Sequence, residues 1–211
     1  NYLIKGLTEF NLLTGGKTIL LACLCAGISV IFCIMLHSFG KVFKTFSPNP
    51  YERVFFGGTV ILCITLLLGT TRYSGTGIEV IVSAIGGTAR NTDFFWKMLF
   101  TAITLACGYK GGEIIPSFFV GATFGCVIAP VLGLSSSLGA AIGMVSVFCG
   151  VTNCPIASLL IALELFGKVP ILYFLLAIAI SYMLSGYYSL YKTQIIAVSK
   201  YKNEYVDKKT H

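Results

Sequence analysis

Charge is what this sequence has least of. Only 11% of its 211 residues are Asp, Glu, Lys or Arg, against about a quarter in an average soluble domain. Histidine occurs twice, as His37 and His211, and none of the eight cysteines forms a C-x-x-C pair. That scarcity argues against a zinc site or a disulfide framework. Cys23, Cys25, Cys33, Cys63, Cys107, Cys126, Cys149 and Cys154 read as small buried thiols within apolar runs, and no metal or cofactor is expected. A membrane enzyme is also disfavoured. Intramembrane proteolysis needs a histidine or paired aspartates at helix depth. Here His37 falls near the end of the first helix, and His211 is the last residue. The opening "NYLIKGLTEFNLLTGG" has no apolar core of a signal peptide. It starts at Asn1 rather than Met, and the expectation is a chain that begins partway through a longer protein.

What the sequence has in plenty is apolar residues, 56% of the chain, with a mean hydropathy of +0.87. That exceeds what one soluble core can absorb and predicts an all-α, polytopic membrane protein with apolar residues facing lipid as well as core. The net charge of +7 fits this reading better than nucleic-acid binding. Its basic residues gather between apolar runs (Lys41, Lys44 and Arg53) and in the tail (Lys192, Lys200, Lys202, Lys208 and Lys209). Cytoplasmic loops are biased in this way, which predicts a cytoplasmic C-terminal tail. A nucleic-acid face would interleave its cations with aromatics on a soluble scaffold.

The apolar runs predict about nine helices of unequal length. A long one covers roughly 17–45 and a second roughly 51–69, followed by a short one in "SGTGIEVIVSAIGG". A fourth starts after Thr92, a candidate N-cap, and runs to about Cys107. A fifth ends near Pro130, short ones follow at about 135–150 and in "NCPIASLLIALELFG", and a full span covers about 169–185. "SLYKTQIIAVSKY" carries an apolar stripe with basic residues and leads into a polar tail. Several of these helices are shorter than the ~20 residues a crossing needs. Broken helices are tolerated at membrane depth where they line a cavity or lie buried in protein. Transporters use them to aim helix N-termini at an anion. The helix starts at Pro116 and Pro155 offer such positive dipole ends.

"GYKGGEIIPSFFVGATFG", from Gly108 to Gly125, is the most informative stretch. Glu113 stands where an ionisable group is expensive and commonly marks an ion or proton path; a wet interfacial loop is the other reading. Gly111 and Gly112 permit an unwound backbone. Pro116 suits a first helical turn, which leaves amides around Glu113 to Ser117 pointing at an anion. A carboxylate beside that anion would be driven towards protonation. The spacings Gly108–Gly112 and Gly121–Gly125 read as close helix approach, and Phe118 and Phe119 as core or lipid contacts. Tyr191 reads as one of an interfacial aromatic belt with Tyr187 and Tyr188. Glu164, Glu79, Asp93 and Lys97 read as structural, loop or helix-end charges.

"GGEIIP" followed by a glycine-containing apolar helix resembles the glycine-glycine-x-x-x-proline segment of the CLC family of chloride channels and anion/proton antiporters. The order of helices and the tyrosine of "SLYKTQIIAVSK" resemble the second half of that fold, which the family builds as an inverted repeat. The resemblance covers nearly all of residues 1–211. It implies one transmembrane domain without a soluble regulatory domain, in the plasma or bacterial inner membrane, and a transporter rather than an enzyme. It implies a homodimer through helices near 153–186, each subunit keeping its own pore. Backbone amides at Glu113 and Ile114 would face a central halide, and the Tyr191 hydroxyl would donate to it. The glutamate at position 113 is similar to the fluoride/proton antiporter branch, where that residue belongs to the transport site and a phenylalanine edge, matched by Phe119, meets fluoride. Ile115 departs from the threonine usual there. The family's external gating glutamate and serine-bearing anion motif have no match in this chain, which implies a fragment of the full pore. Fluoride or chloride exchanged for protons is the leading expectation. A passive chloride channel and a non-transporting membrane fragment are the alternatives.

Overall fold

The computed structural model describes residues 2, 4, 11–191, 193–202 and 204–210. Asn1, Lys192 and His211 lie outside the described residues. Eight α-helices are described, α1 Leu12–Phe46, α2 Pro50–Leu68, α3 Ile78–Ile85, α4 Asp93–Ala106, α5 Ile114–Ile128, α6 Ser136–Thr152, α7 Pro155–Phe166 and α8 Ile171–Leu184. A 3-10 turn, Ala129–Leu132, extends α5, and two strands follow, β1 Ile195–Val198 and β2 Tyr205–Lys209.

Caps account for most helix starts. The Asn11 and Asn49 side chains accept from the amides of Leu13 and Tyr51, and Ser135 accepts from Leu138. Pro50 and Pro155 occupy first-turn positions, where a missing N–H costs nothing. Thr92 does precede α4, but its side chain makes no capping bond. Three described helical segments are long and apolar enough to cross a membrane: Leu12–Phe46, Pro50–Leu68 and Ile114–Leu132. At 1.5 Å per residue α1 is about 50 Å long, well beyond a ~30 Å hydrocarbon core. It must therefore tilt or project from the bilayer.

The core is the pair α5 and α6, with α1 and α8 behind them. Gly121 and Gly125 on α5 face Gly143 and Gly139 on α6 so closely that an added Cβ at either α5 position would collide with a carbonyl oxygen of α6. The close-approach reading therefore holds for Gly121 and Gly125. It fails for Gly108 and Gly112, which lie in the irregular link between α4 and α5. Gly108 turns the chain there at φ +100, while Gly112 has open space around its Cα. α2 stands apart. Gly57 is its one buried residue, and Phe55, Leu62, Leu66 and Leu67 are exposed. Such a surface belongs in lipid or against further protein.

Three expectations need correcting. No helix follows Tyr191 among the described residues. Residues 195–198 pair antiparallel with 205–209, with Ile195 opposite Lys209 and Ile196 opposite Lys208. The β-branched Ile195, Ile196 and Val198 favour the pleated alternative once a second segment can pair with them. Asp93 and Lys97, read as loop or helix-end charges, are 0% and 3% exposed. Loop 70–77 supplies every hydrogen-bond partner of these two side chains except the Arg90 amide, a contact that sequence spacing does not encode. The thiols also divide: Cys25, Cys33, Cys107, Cys126 and Cys149 are buried, but Cys63 and Cys154 are exposed.

Candidate anion site

The link between α4 and α5 is fixed before the site begins. Arg53 Nε donates to the Cys107 carbonyl at 3.4 Å, and the Tyr109 hydroxyl donates to the Val54 carbonyl at 3.1 Å. Both contacts clamp the link to the start of α2. Gly111 and Gly112 then cross an open surface, and Glu113 takes the N-cap position of α5 without a side-chain capping bond. The helix thus starts at Ile114, and Pro116 is its third residue.

The first helical hydrogen bond runs from the Ser117 amide to the Glu113 carbonyl, at 3.2 Å. The amides of Ile114 and Ile115 precede it and have no intrahelical acceptor. Pro116 has no N–H to offer. The Ser117 hydroxyl turns back to the Ile114 carbonyl at 2.6 Å, so it stays with its own helix. The helix end carries a partial positive charge and presents donors, the arrangement that binds anions.

Opposite this end lies Tyr191. An open cleft of about 720 Å³ has Gly111, Gly112, Glu113, Ile114 and Ile115 along one wall and Leu190, Tyr191 and Thr193 along the other. Burial, then the neighbouring Glu113 carboxylate, push the Tyr191 phenol up from its ordinary value of 10.0. The hydroxyl therefore stays a donor throughout the neutral range. Glu113 is half-buried and also borders a second void, about 240 Å³, shared with His37, Lys44 and Leu190. It stands between the two.

Phe119 is placed elsewhere. It is fully buried, its ring in edge contact with Tyr73 at 6.5 Å between centroids, with the Lys97 ammonium 5.2 Å from its centre. It does not line the cleft of Glu113 and Tyr191. Pro116 faces a third void, about 250 Å³, lined also by Lys97, Gly111, Gly112 and Ile115.

The geometry has close parallels. The family model described as voltage gated chloride channel matches residues 2–186. This chain belongs to that family. A protein of Pseudomonas syringae pv. tomato named chloride/fluoride channel protein is 35% identical over 178 residues, which cover 82% of this chain and 39% of the relative. An uncharacterised protein of Methanocaldococcus jannaschii is 22% identical over 184 residues, 78% of this chain and 47% of the relative. The crystal structure of a CLC-type fluoride/proton antiporter superposes with a TM-score of 0.86 at 28% identity, over 90% of this chain and 49% of that one. The CLC chain described here spans about half, or less, of the length of these relatives.

Sequence reading of this CLC chain missed the residues that hold Tyr191 in place. Asn153, in the left-handed conformation at φ 57, ends α6 and donates through Nδ2 to the Tyr188 carbonyl at 2.9 Å. Gln194 Nε2 donates to the Thr152 carbonyl at 3.0 Å, and its Oε1 accepts from the Ser189 hydroxyl at 2.7 Å. The Leu190 amide donates to the Val151 carbonyl at 2.9 Å. Together these tie residues 188–194 to the end of α6. An asparagine just past a helix, before a proline, was the available signal for a left-handed cap.

Proposed function

We propose that this chain forms part of a CLC-type antiporter that moves halide, fluoride or chloride, across a membrane in exchange for protons. The observation that carries this reading is the position of Glu113. Glu113, at the N-cap position of α5, lines one cleft with Ile114, Ile115 and Tyr191, and it also borders a second void containing His37 and Lys44. A group so placed can meet the anion on one side and exchange a proton on the other. When protonated it adds a donor beside the anion; when ionised it competes with the anion for the same amides. Ile114 and Ile115 supply the amides, Tyr191 a hydroxyl, and Gly111 and Gly112 keep the approach free of side chains. Ile115 brings no side-chain hydroxyl, so any preference for fluoride would have to come from backbone donors and Glu113. Phe119 acts from behind, against Lys97 and Tyr73.

Topology supports the same reading. Lys17 on α1 donates to the Gly133 carbonyl at 3.1 Å, and Ser29 packs on Gly150, so α1 and α6 run in one direction. The end of α1 lines a void with Leu190, and the end of α6 accepts from the Leu190 amide at Val151, which puts the segment of Lys41 and Lys44 on the side of the tail. Both basic segments then face the cytoplasm. Exposed Ile156 and Leu160 on α7 and Leu172 and Leu175 on α8 offer a surface for a second subunit.

The test is proton-coupled flux from the protein reconstituted in liposomes. A halide gradient should drive proton movement, and Glu113→Gln should abolish that coupling while halide still binds. Halide flux with no proton movement in the wild type would favour the passive reading, which the channel name of the Pseudomonas relative supports.

A further inference from the structure

Lys97 plays no part in the site as read so far, yet it is the most deeply buried described cation. It lies one turn into α4 and is 3% exposed. Its ammonium donates to the Tyr73 carbonyl at 3.2 Å and the Gly75 carbonyl at 2.5 Å, and faces the Phe119 ring at 5.2 Å. These partners are dipoles and a ring face, and none carries a full negative charge. Asp93, one turn back on the same helix, is already engaged by the Arg72 guanidinium, the Tyr73 hydroxyl and the Arg90 amide. Among the described residues, Arg72–Asp93 is the one ion pair. The Lys97 charge is left without a counter-charge, where bilayer or protein would make that expensive.

The location of that charge gives it a use. The 250 Å³ void that Lys97 lines is walled by Gly111, Gly112, Ile115 and Pro116. Gly111, Gly112 and Ile115 also line the cleft of Glu113 and Tyr191. At its other end Gly75 and Thr76 are shared with a cleft of about 600 Å³ that holds Arg72 and Arg90. Each void thus shares lining residues with the next: the first holds Arg72 and Arg90 together with the Glu79 carboxylate, the second Lys97, and the third the start of α5.

We propose that Lys97 is the fixed positive charge that draws and holds halide beside the α5 amides, and so sets anion affinity. It acts through space on the anion and takes no part in proton exchange. The inference rests on the antiporter reading above, and the test separates the two. Lys97→Gln retains donors for the Tyr73 and Gly75 carbonyls but removes the charge. Thr104→Glu keeps Lys97 and adds an opposing charge to the same void. Each should raise the halide concentration at half-maximal flux by about tenfold, the order expected for one unit charge in a partly desolvated site. Lys97→Arg should recover most of the affinity, and the proton-to-halide ratio should stay at the wild-type value in all three. A lysine that only ties down loop 70–77 would lower the melting temperature of the Gln variant and leave its half-saturation unchanged. Half-saturation within about twofold of wild type for both folded variants overturns the inference, as it does for Thr104→Glu alone should Lys97→Gln fail to fold. Wild-type protein that binds and moves no halide overturns the antiporter reading and this inference with it.

Discussion

Asp93 accepts three hydrogen bonds and shows no surface to solvent. The Arg72 bond, at 2.9 Å, is to a side chain still 26% exposed, so half of this pair keeps contact with water. Asp93→Asn would retain the shape, lose the charge and leave the guanidinium poorly matched. Hydrogen bonds to charged groups are worth about 1.5–3 kcal/mol, and we expect a loss of about 2 kcal/mol in detergent unfolding experiments. A variant as stable as wild type would show that the Tyr73 and Arg90 donors suffice. Not every important residue was equally legible. Glu113 stands out in the sequence because a carboxylate between two glycines and a proline interrupts an otherwise apolar run. Asp93 and Lys97 do not, because a charge in the first turns of a helix looks the same whether it meets water or a folded loop. Their burial depends on residues about twenty positions earlier, and helical periodicity says nothing of that contact.

The same limit applies to whole elements. Gly121–Gly125 and Gly108–Gly112 carry identical spacing, but only the first pair lies in a helix with a glycine-bearing partner opposite. Gly125→Ala should therefore be costly. The new methyl would meet the Gly139 carbonyl, and overpacking of this kind typically costs about 1–3 kcal/mol, more than the roughly 1 kcal/mol that alanine gains in helix propensity. Gly112→Ala, with open space around it, should leave the melting temperature unchanged. Equal melting temperatures for the two variants would place the close approach elsewhere. The first two spans and the proline starts at Pro50 and Pro155 were legible from the sequence. The caps were not, since the candidate Thr92 makes no capping bond and Asn11, Asn49 and Ser135 do, and the full span expected at about 169–185 is the 14-residue α8. The β1–β2 hairpin was not, because its stripe of Ile195, Ile196 and Val198 fits either period until β2 is there to pair.

At the scale of the molecule, the hairpin is fastened to the helices by Lys200. Its ammonium donates to the Tyr182 carbonyl at 2.8 Å and the Ser185 hydroxyl at 3.2 Å, contacts the Asn153 side chain, and sits 4.2 Å from the Tyr182 ring centre. Burial lowers the Lys200 pKa from 10.5 to about 8. The folded state thus binds its proton more weakly than the unfolded chain does. This contribution to stability is complete above 10.5 and is lost as pH falls through about 8. Wild-type melting temperature should accordingly gain on that of Lys200→Met as pH rises from about 7 to about 10. Parallel curves would mean that Lys200 titrates as an exposed lysine. The glycine contact between α5 and α6 bears on motion as well as stability. Two helices in backbone contact have no side-chain layer to shear, and a close-packed seam of that kind tolerates little sliding. On the antiporter reading proposed above, α5 would then serve as a stator, and alternating exposure of the site to the two sides of the membrane would fall to its light parts, the Glu113 carboxylate and the segment that carries Tyr191.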